Sequence, residues 1–219
     1  MNKLKKIGLI LGLSALCAVP YFYNQNSRLV SEEIKNCNKN IHLKHSKKEI
    51  EDIVNDIDSP GEAFFRINKD ILFEEGHDPK VLHCKDRWTS MQETYALGSG
   101  DCEDGSIMFK GMLINHPEFE VEIIWLIPKL NPNKKIKAHV INTYKENGKY
   151  GYVSFNERNS NRIHAAIFED KDSAIRAFNK YFNKVYEKYT EMEFTNEELK
   201  FGKNLNKHRG RSPDWTNLE

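Results

Sequence analysis

Apolar residues recur at intervals of three and four after Ser46, and Glu49 lies three residues beyond that serine. This spacing of Ser46 and Glu49 is typical of a capping box, so the pattern predicts an amphipathic helix over residues 46–58. The turn residues Ser59-Pro60-Gly61 should end it. Residues 63–73 are also rich in apolar side chains but follow no single period, which leaves a helix and an irregular packed segment open.

Two further helices are predicted downstream. Residues 101–114 place their apolar side chains on one face, and two glycines within the segment allow close packing against a neighbour. Nearer the C-terminus, apolar residues step by three and four from Ile175 to Tyr189. This pattern predicts an amphipathic helix that begins at a cap near Asp172 or Ser173.

Between these helices the pattern changes to that of strands. Residues 121–127 (VEIIWLI) form an apolar run typical of a buried strand, and residues 138–144 alternate. Residues 150–155 follow across Glu146-Asn147-Gly148-Lys149, whose Asn-Gly pair is a strong hairpin signal. Helices that precede a short antiparallel sheet, with an amphipathic helix near the C-terminus, indicate an α+β fold.

The N-terminal segment indicates export. Three of the first six residues are lysines, and the charge-free run 7–19 follows them, as in a secretory signal. That run is shorter than the roughly 20 residues of a transmembrane helix. We expect a signal peptide or a membrane anchor over 1–23, and either one delivers the domain to the cell envelope, the periplasm or the medium. A linker (24–45), a single domain (46–195) and a flexible tail (196–219) should follow.

Composition narrows the class of protein. The 219 residues include 33 Lys and Arg against 32 Asp and Glu, for a net charge of +1, so the main electrostatic reason to expect nucleic acid as a partner is missing. Twelve phenylalanines, nine tyrosines and three tryptophans indicate a substantial core. Four cysteines are too few for a disulfide-stapled scaffold, and each can have its own role.

Cys102 has the sequence context of a reactive thiol. It follows a Gly-Ser-Gly-Asp turn at the first turn of a predicted helix, where backbone N–H groups and the helix dipole favour a thiolate. A thiolate nucleophile also needs a base, usually histidine, and a group that orients the imidazole. His139 opens a predicted strand, and Asn156 closes the next one. Counting outward from the hairpin turn pairs these two residues.

The run 88–94 (WTSMQET), followed by 98–104 (GSGDCED), resembles the nucleophile segment of transglutaminase-like cysteine peptidases, especially their exported bacterial branch. The order Cys102, His139, Asn156 matches that family too, and the resemblance covers about a third of the chain. It implies a papain/transglutaminase-like fold with the nucleophile helix packed on a short antiparallel sheet. It also implies a Cys-His-Asn triad that cleaves a peptide or amide bond through a thioester on Cys102. The family usually has Asp in third place, whereas Asn orients the imidazole without stabilising its charge.

The oxyanion hole of such an enzyme would combine the backbone N–H of Cys102 with an upstream side-chain donor. Gln92 and Trp88 are the candidates, and Trp88 also fits a core aromatic. Two alternative functions stay open: a protein-crosslinking transglutaminase, in which an amine replaces water, and a catalytically inactive envelope binding module. The expected partner is a protein or peptide of the cell envelope, and the N-terminal segment would supply any membrane anchoring.

The expected chemistry requires no cofactor. Some bacterial relatives bind calcium close to this motif, which makes three acidic residues candidate calcium ligands: Asp101, Glu103 and Asp104. Their alternative role is to complement the helix dipole with negative charge. No other residues form a firm metal site. Cys37 and Cys84 could pair in an oxidising compartment, which would leave Cys102 free.

Overall fold

A computed structural model of the chain describes residues 41–74, 87–129, 137–156, 161–183, 185–203, 205 and 215–218. The expected leader (1–23), most of the linker, and both Cys37 and Cys84 lie outside the described residues. Within the residues that are described, no helix has both the length and the apolar character needed to cross a membrane.

The predicted α+β class is confirmed by helices packed on a six-stranded antiparallel sheet. The helices are α1 (Lys47–Asn55), α2 (Pro60–Asp70), α3 (Met91–Leu97), α4 (Cys102–Met112), α5 (Lys171–Tyr181) and α6 (Asn196–Phe201). The strands are β1 (Leu72–Phe73), β2 (Ser99–Gly100), β3 (Glu122–Pro128), β4 (His139–Glu146), β5 (Lys149–Ser154), β6 (Arg162–Phe168), β7 (Tyr186–Met192) and β8 (Thr216–Asn217). A short 3-10 helix spans Pro117–Phe119.

The six-stranded sheet has the order β6-β5-β4-β3-β7-β8, and β1 pairs with β2 in a separate parallel pair. Because successive side chains of a strand point to opposite faces, β4 contributes to two apolar layers. Val140 packs with Ile107 of α4 on one face. Ile141 packs with Phe178 of α5 on the other. The sheet therefore separates α4 from α5.

The N-terminal helices form as local signals predict. The Glu49 N–H donates to the Ser46 hydroxyl at 3.2 Å, and the Ser46 N–H donates to the Glu49 carboxylate at 2.7 Å, which completes the predicted capping box of α1. Ser59 then caps α2, with Pro60 as its first residue. The stretch 63–73, left open between two conformations, is helical to Asp70 and continues into β1.

The predicted β4–β5 hairpin is confirmed. Asn147 and Gly148 both have positive φ, 52° and 77°, as a two-residue hairpin turn requires. Pairing runs from Glu146 opposite Lys149 outward to Ile141 opposite Ser154.

The helix predicted from Ile175 to Tyr189 is wrong in its second half. Helix α5 begins after Asp170, whose carboxylate accepts from the Ser173 N–H, and it ends at Tyr181. Asn183 then adopts a left-handed φ of 58°, and the chain becomes strand β7, paired with β3. A spacing of four residues is shared by one helical face and one face of a strand, so the pattern could not separate the two.

Two other elements differ from the sequence analysis. Residues 196–201, assigned to a flexible tail, form α6 behind a Thr195 capping box, and Leu199 in that helix is fully buried. Strand β6 had no prediction. Its pairing with β5 contains an irregularity between Tyr150 and Tyr152, which breaks the regular alternation by which a strand is recognised.

Candidate active site

Cys102 is the first residue of α4, as predicted. The turn before it is held by the β1–β2 pair, in which Leu72 lies opposite Ser99. Gly100 is needed there because a Cβ would lie 2.8 Å from the Asp104 Cβ and 2.9 Å from a carboxylate oxygen. Close contact between this turn and the first turn of α4 thus sets where the thiol lies.

Asp104 holds the segment before α3 against the start of α4. Its side chain is fully buried. One carboxylate oxygen accepts from the Thr89 N–H at 2.9 Å and from the Thr89 hydroxyl at 2.7 Å, while the other accepts from the Asp101 N–H at 3.3 Å. Hydrogen bonds to a charged acceptor are the stronger kind, so this carboxylate joins two segments that are separate in sequence.

The candidate calcium ligands make contacts within the protein. Both oxygens of Asp104 accept hydrogen bonds, and Glu103 accepts one from the Cys102 thiol. In the part of the chain that the structure describes, no group of three or more acidic, histidine or cysteine residues is placed to hold a metal ion. Calcium binding at Asp101, Glu103 and Asp104 stays a prediction, and an ion would compete with these hydrogen bonds.

The thiol of Cys102 lies at the edge of an apolar cluster and is half-buried as a residue. Its Sγ donates to Oε2 of Glu103 at 3.1 Å. Burial raises the pKa of this thiol well above its ordinary 9.0, the carboxylates of Glu103 and Asp101 raise it further, and the Val140 N–H lowers it by a hydrogen bond to sulfur. The expected stabilised thiolate is therefore not found, because burial and two adjacent carboxylates outweigh the helix N-terminus.

His139 opens β4, as predicted, and its side chain is buried. Nε2 lies 2.9 Å from the Ser154 hydroxyl, and the ring stacks on Phe178 with centroids 5.7 Å apart and an interplanar angle of 11°. Burial lowers the pKa of His139 to about 4. The imidazole is therefore neutral at physiological pH, held by one polar contact and an aromatic face.

Asn156 reaches His139 through a third residue. Continuing the hairpin register beyond Ile141 and Ser154 pairs position 156 with position 139, as expected. The Asn156 amide, however, donates to the Ser154 hydroxyl at 3.0 Å, and that same hydroxyl contacts His139. Ser154 is thus a site residue that the sequence analysis missed. The signal for it was the alternation of the strand, which puts residues 154 and 156 on one face.

Among the described residues, the Cys102 thiol and the His139 ring form no hydrogen bond with each other. The sulfur contacts the N–H of Val140, the residue next to His139. Cys102 packs with Val140 on the α4 face, whereas His139 stacks with Phe178 on the α5 face. The two groups therefore lie beside the first residues of β4 on different faces of the sheet.

The two predicted oxyanion donors, Gln92 and Trp88, both have contacts away from the thiol. The Gln92 amide donates to the His45 carbonyl at 2.7 Å, which ties it to the segment before α1. Trp88 is 2% exposed and packs as a core aromatic against Trp125 and Phe194, with ring centroids 6.3 and 6.0 Å away. Trp88 therefore has the packing expected of a core aromatic, in the cluster against which Cys102 packs, and its role as an oxyanion donor stays a prediction.

Tyr186 belongs to the site and was missed. It is the first residue of β7, and its ring lies 6.4 Å from that of His139 at an interplanar angle of 24°. Burial raises the pKa of Tyr186 to about 12, and the charge that a thiolate at Cys102 would carry adds to the rise. Since the sequence pattern placed this residue in a helix, no local signal pointed to the contact.

The sequence matches no protein-family model, and no curated protein matches it.

Proposed function

We propose that this protein is an exported cysteine hydrolase with a papain/transglutaminase-like fold, which cleaves a peptide or amide bond of an envelope substrate through a thioester on Cys102. The observation that carries the proposal is the placement of the thiol. Cys102 occupies the first turn of α4, its sulfur meets the Val140 N–H, and His139 is the adjoining residue of β4. A candidate nucleophile and a candidate base thus flank the start of β4, where the Val140 N–H donates to the sulfur.

The side chains would act in sequence. Sγ of Cys102 attacks the carbonyl carbon while its proton passes to Nδ1 of His139, the ring nitrogen left free when Nε2–H donates to Ser154. His139 then gives that proton to the leaving amine, and the thioester remains. Water attacks the thioester, gives its proton to His139 and releases the acid and the thiol. Asn156 acts by holding the Ser154 oxygen that orients the ring.

The reaction would start from a neutral pair rather than an ion pair. Burial keeps the pKa of Cys102 high and the pKa of His139 low, so the proton leaves sulfur as the new bond forms. The thiol also has to turn from Glu103 toward His139 before that transfer. This starting point favours slow alkylation at neutral pH and faster reaction with a substrate that fits the site.

A second function, an inactive envelope binding module, is favoured by one observation. Cys102 and His139 share no hydrogen bond in the described structure, and the high thiol pKa is that of an unreactive buried cysteine. In this case Cys102 acts only as a small apolar residue of the cluster around Val140.

Acylation by p-nitrophenyl acetate separates the two functions. The full chain should release p-nitrophenol as Cys102 becomes acetylated, with the acyl group located by peptide mass spectrometry. Cys102→Ala should abolish that release. His139→Gln, which keeps a donor for Ser154 but accepts no proton, should slow it by about 100-fold or more. His116→Gln is the matched control, since that ring contacts Glu118 and lies outside the site.

The hydrolase is refuted if Cys102→Ala releases p-nitrophenol as fast as the parent protein, or if His139→Gln is acetylated at the parental rate. Either result would favour the inactive binding module.

Adding a labelled primary amine tests the transglutaminase alternative. Acyl transfer would attach the labelled amine to the acyl product, whereas hydrolysis would leave the labelled amine free.

A further inference from the structure

Tyr186 is held rigidly beside the two groups of the proposed chemistry. Asn179 of α5 donates from its amide nitrogen to the Tyr186 carbonyl at 3.0 Å, and its amide oxygen accepts from the Tyr186 N–H at 3.1 Å. The ring stacks on Phe178 at 6.2 Å and on His139 at 6.4 Å. Backbone and ring are thus both fixed, so the direction of the hydroxyl is fixed as well.

The hydroxyl of Tyr186 has no partner among the described residues, a property that it shares with the buried hydroxyl of Tyr95, which lies elsewhere in the core. Tyr186 is 6% exposed, yet no described group forms a hydrogen bond with its hydroxyl. Tyr189, three residues along the same strand, donates to Asp172 at 2.5 Å, and Tyr144 donates to the His164 carbonyl at 2.9 Å. Phenols of buried residues usually have a partner, so an open donor on a ring that stacks on His139 points to a ligand atom as that partner.

The phenol also has the right protonation state for a donor. Burial raises its pKa to about 12, so it keeps its proton at neutral pH. When Sγ of Cys102 bonds to a carbonyl carbon, the electron pair of the C=O bond moves to oxygen, and the negative charge that develops needs donors that are already in place. The Tyr186 ring stacks on that of His139, and its hydroxyl is close enough to the thiol for a thiolate at Cys102 to act on it, so a substrate oxygen beside Cys102 would come within its reach.

We propose that Tyr186 is a catalytic residue of the hydrolase, whose hydroxyl donates to the carbonyl oxygen of the substrate while Cys102 attacks. This inference rests on the proposed function. It gives Tyr186 the part for which Gln92 and Trp88 were the sequence candidates, and the Gln92 amide already donates to the His45 carbonyl. A backbone N–H at the start of α4 would supply the second donor.

Tyr186→Phe tests this role because it removes the oxygen and keeps the stacked ring. Two reactions of Cys102 are compared in the full chain: acylation by p-nitrophenyl acetate, which passes through an oxyanion, and alkylation by iodoacetamide, a displacement that forms none. Acylation should fall by about 100-fold, whereas alkylation should stay within about twofold. Tyr189→Phe, which loses a hydroxyl on the same strand, should change neither rate, and circular dichroism checks that both variants fold.

Two outcomes overturn the proposal. If Tyr186→Phe leaves acylation unchanged, the hydroxyl gives no stabilisation to the oxyanion. If acylation and alkylation fall together, Tyr186 positions Cys102 or His139 instead of touching the substrate. Failure of the proposed function appears separately, as acylation that survives Cys102→Ala.

Discussion

Lowering the pH should destabilise this protein through His139. The buried imidazole has a pKa of about 4 in the folded protein, against an ordinary value of 6.5 that it regains on unfolding. Between those two values the unfolded chain binds a proton that the folded chain excludes, so stability is fully present above pH 6.5 and is lost as the pH falls. Each pH unit is worth about 1.4 kcal/mol, which makes the loss about 2 kcal/mol at pH 5 and about 3 kcal/mol by pH 4.

Urea unfolding, followed by tryptophan fluorescence at about pH 7.5 and pH 5, measures this loss. Other groups contribute to the acid dependence, so the comparison is with His139→Gln, which cannot titrate and can still donate to the Ser154 hydroxyl. The parent protein should lose about 2 kcal/mol more than the variant between the two pH values. An NMR titration of the His139 ring supplies a direct reading of the same pKa.

Equal losses in the parent protein and His139→Gln would refute the reasoning. His139 would then be exposed enough to take up a proton without cost, and its stacking on Phe178 and its contact with Ser154 could not be as described. A titration near 6.5 would lead to the same conclusion.

Two other expectations test the packing and charge around the thiol. Gly105→Ala should lower the free energy of unfolding in urea by about 1–2 kcal/mol, because the new Cβ would lie 2.5 Å from the Phe155 ring and overpacking outweighs the gain in helix propensity. The control is Gly61→Ala, whose new Cβ would have nothing within 4 Å and which should stabilise the protein by up to about 1 kcal/mol. A Gly105→Ala protein as stable as its parent would contradict this packing. Glu103→Gln should lower the pKa of the Cys102 thiol, although burial keeps that pKa above its ordinary value. Alkylation of Cys102 by iodoacetamide should therefore begin at lower pH in the variant than in the parent protein. An unchanged pH profile of alkylation would show that the carboxylate does not act on the sulfur.

The differences between sequence and structure follow from the range of the interactions involved. Asn183 ends α5 by adopting a left-handed φ, after which β7 pairs with β3, a strand about 60 residues earlier in the chain. A pairing partner so distant leaves no local mark, and the spacing from Ile175 to Tyr189 fits a helix equally well. Helix α6 was missed for a related reason, because six residues show too little periodicity to be recognised until Leu199 is seen to be buried.

By itself the sequence determined the elements that carry the proposed chemistry. The capping box of α1, the Asn-Gly turn and the glycine-rich segment before α4 act over a few residues, so Cys102 at a helix start and His139 at a strand start were correctly predicted. Only the tertiary structure decided how those groups are protonated and which neighbours they have. Burial raises one pKa and lowers the other, Ser154 comes between His139 and Asn156, and Tyr186 arrives from a strand on the far side of β3. Burial and cross-strand contacts exist only once distant segments pack together, so they could not be predicted from the sequence.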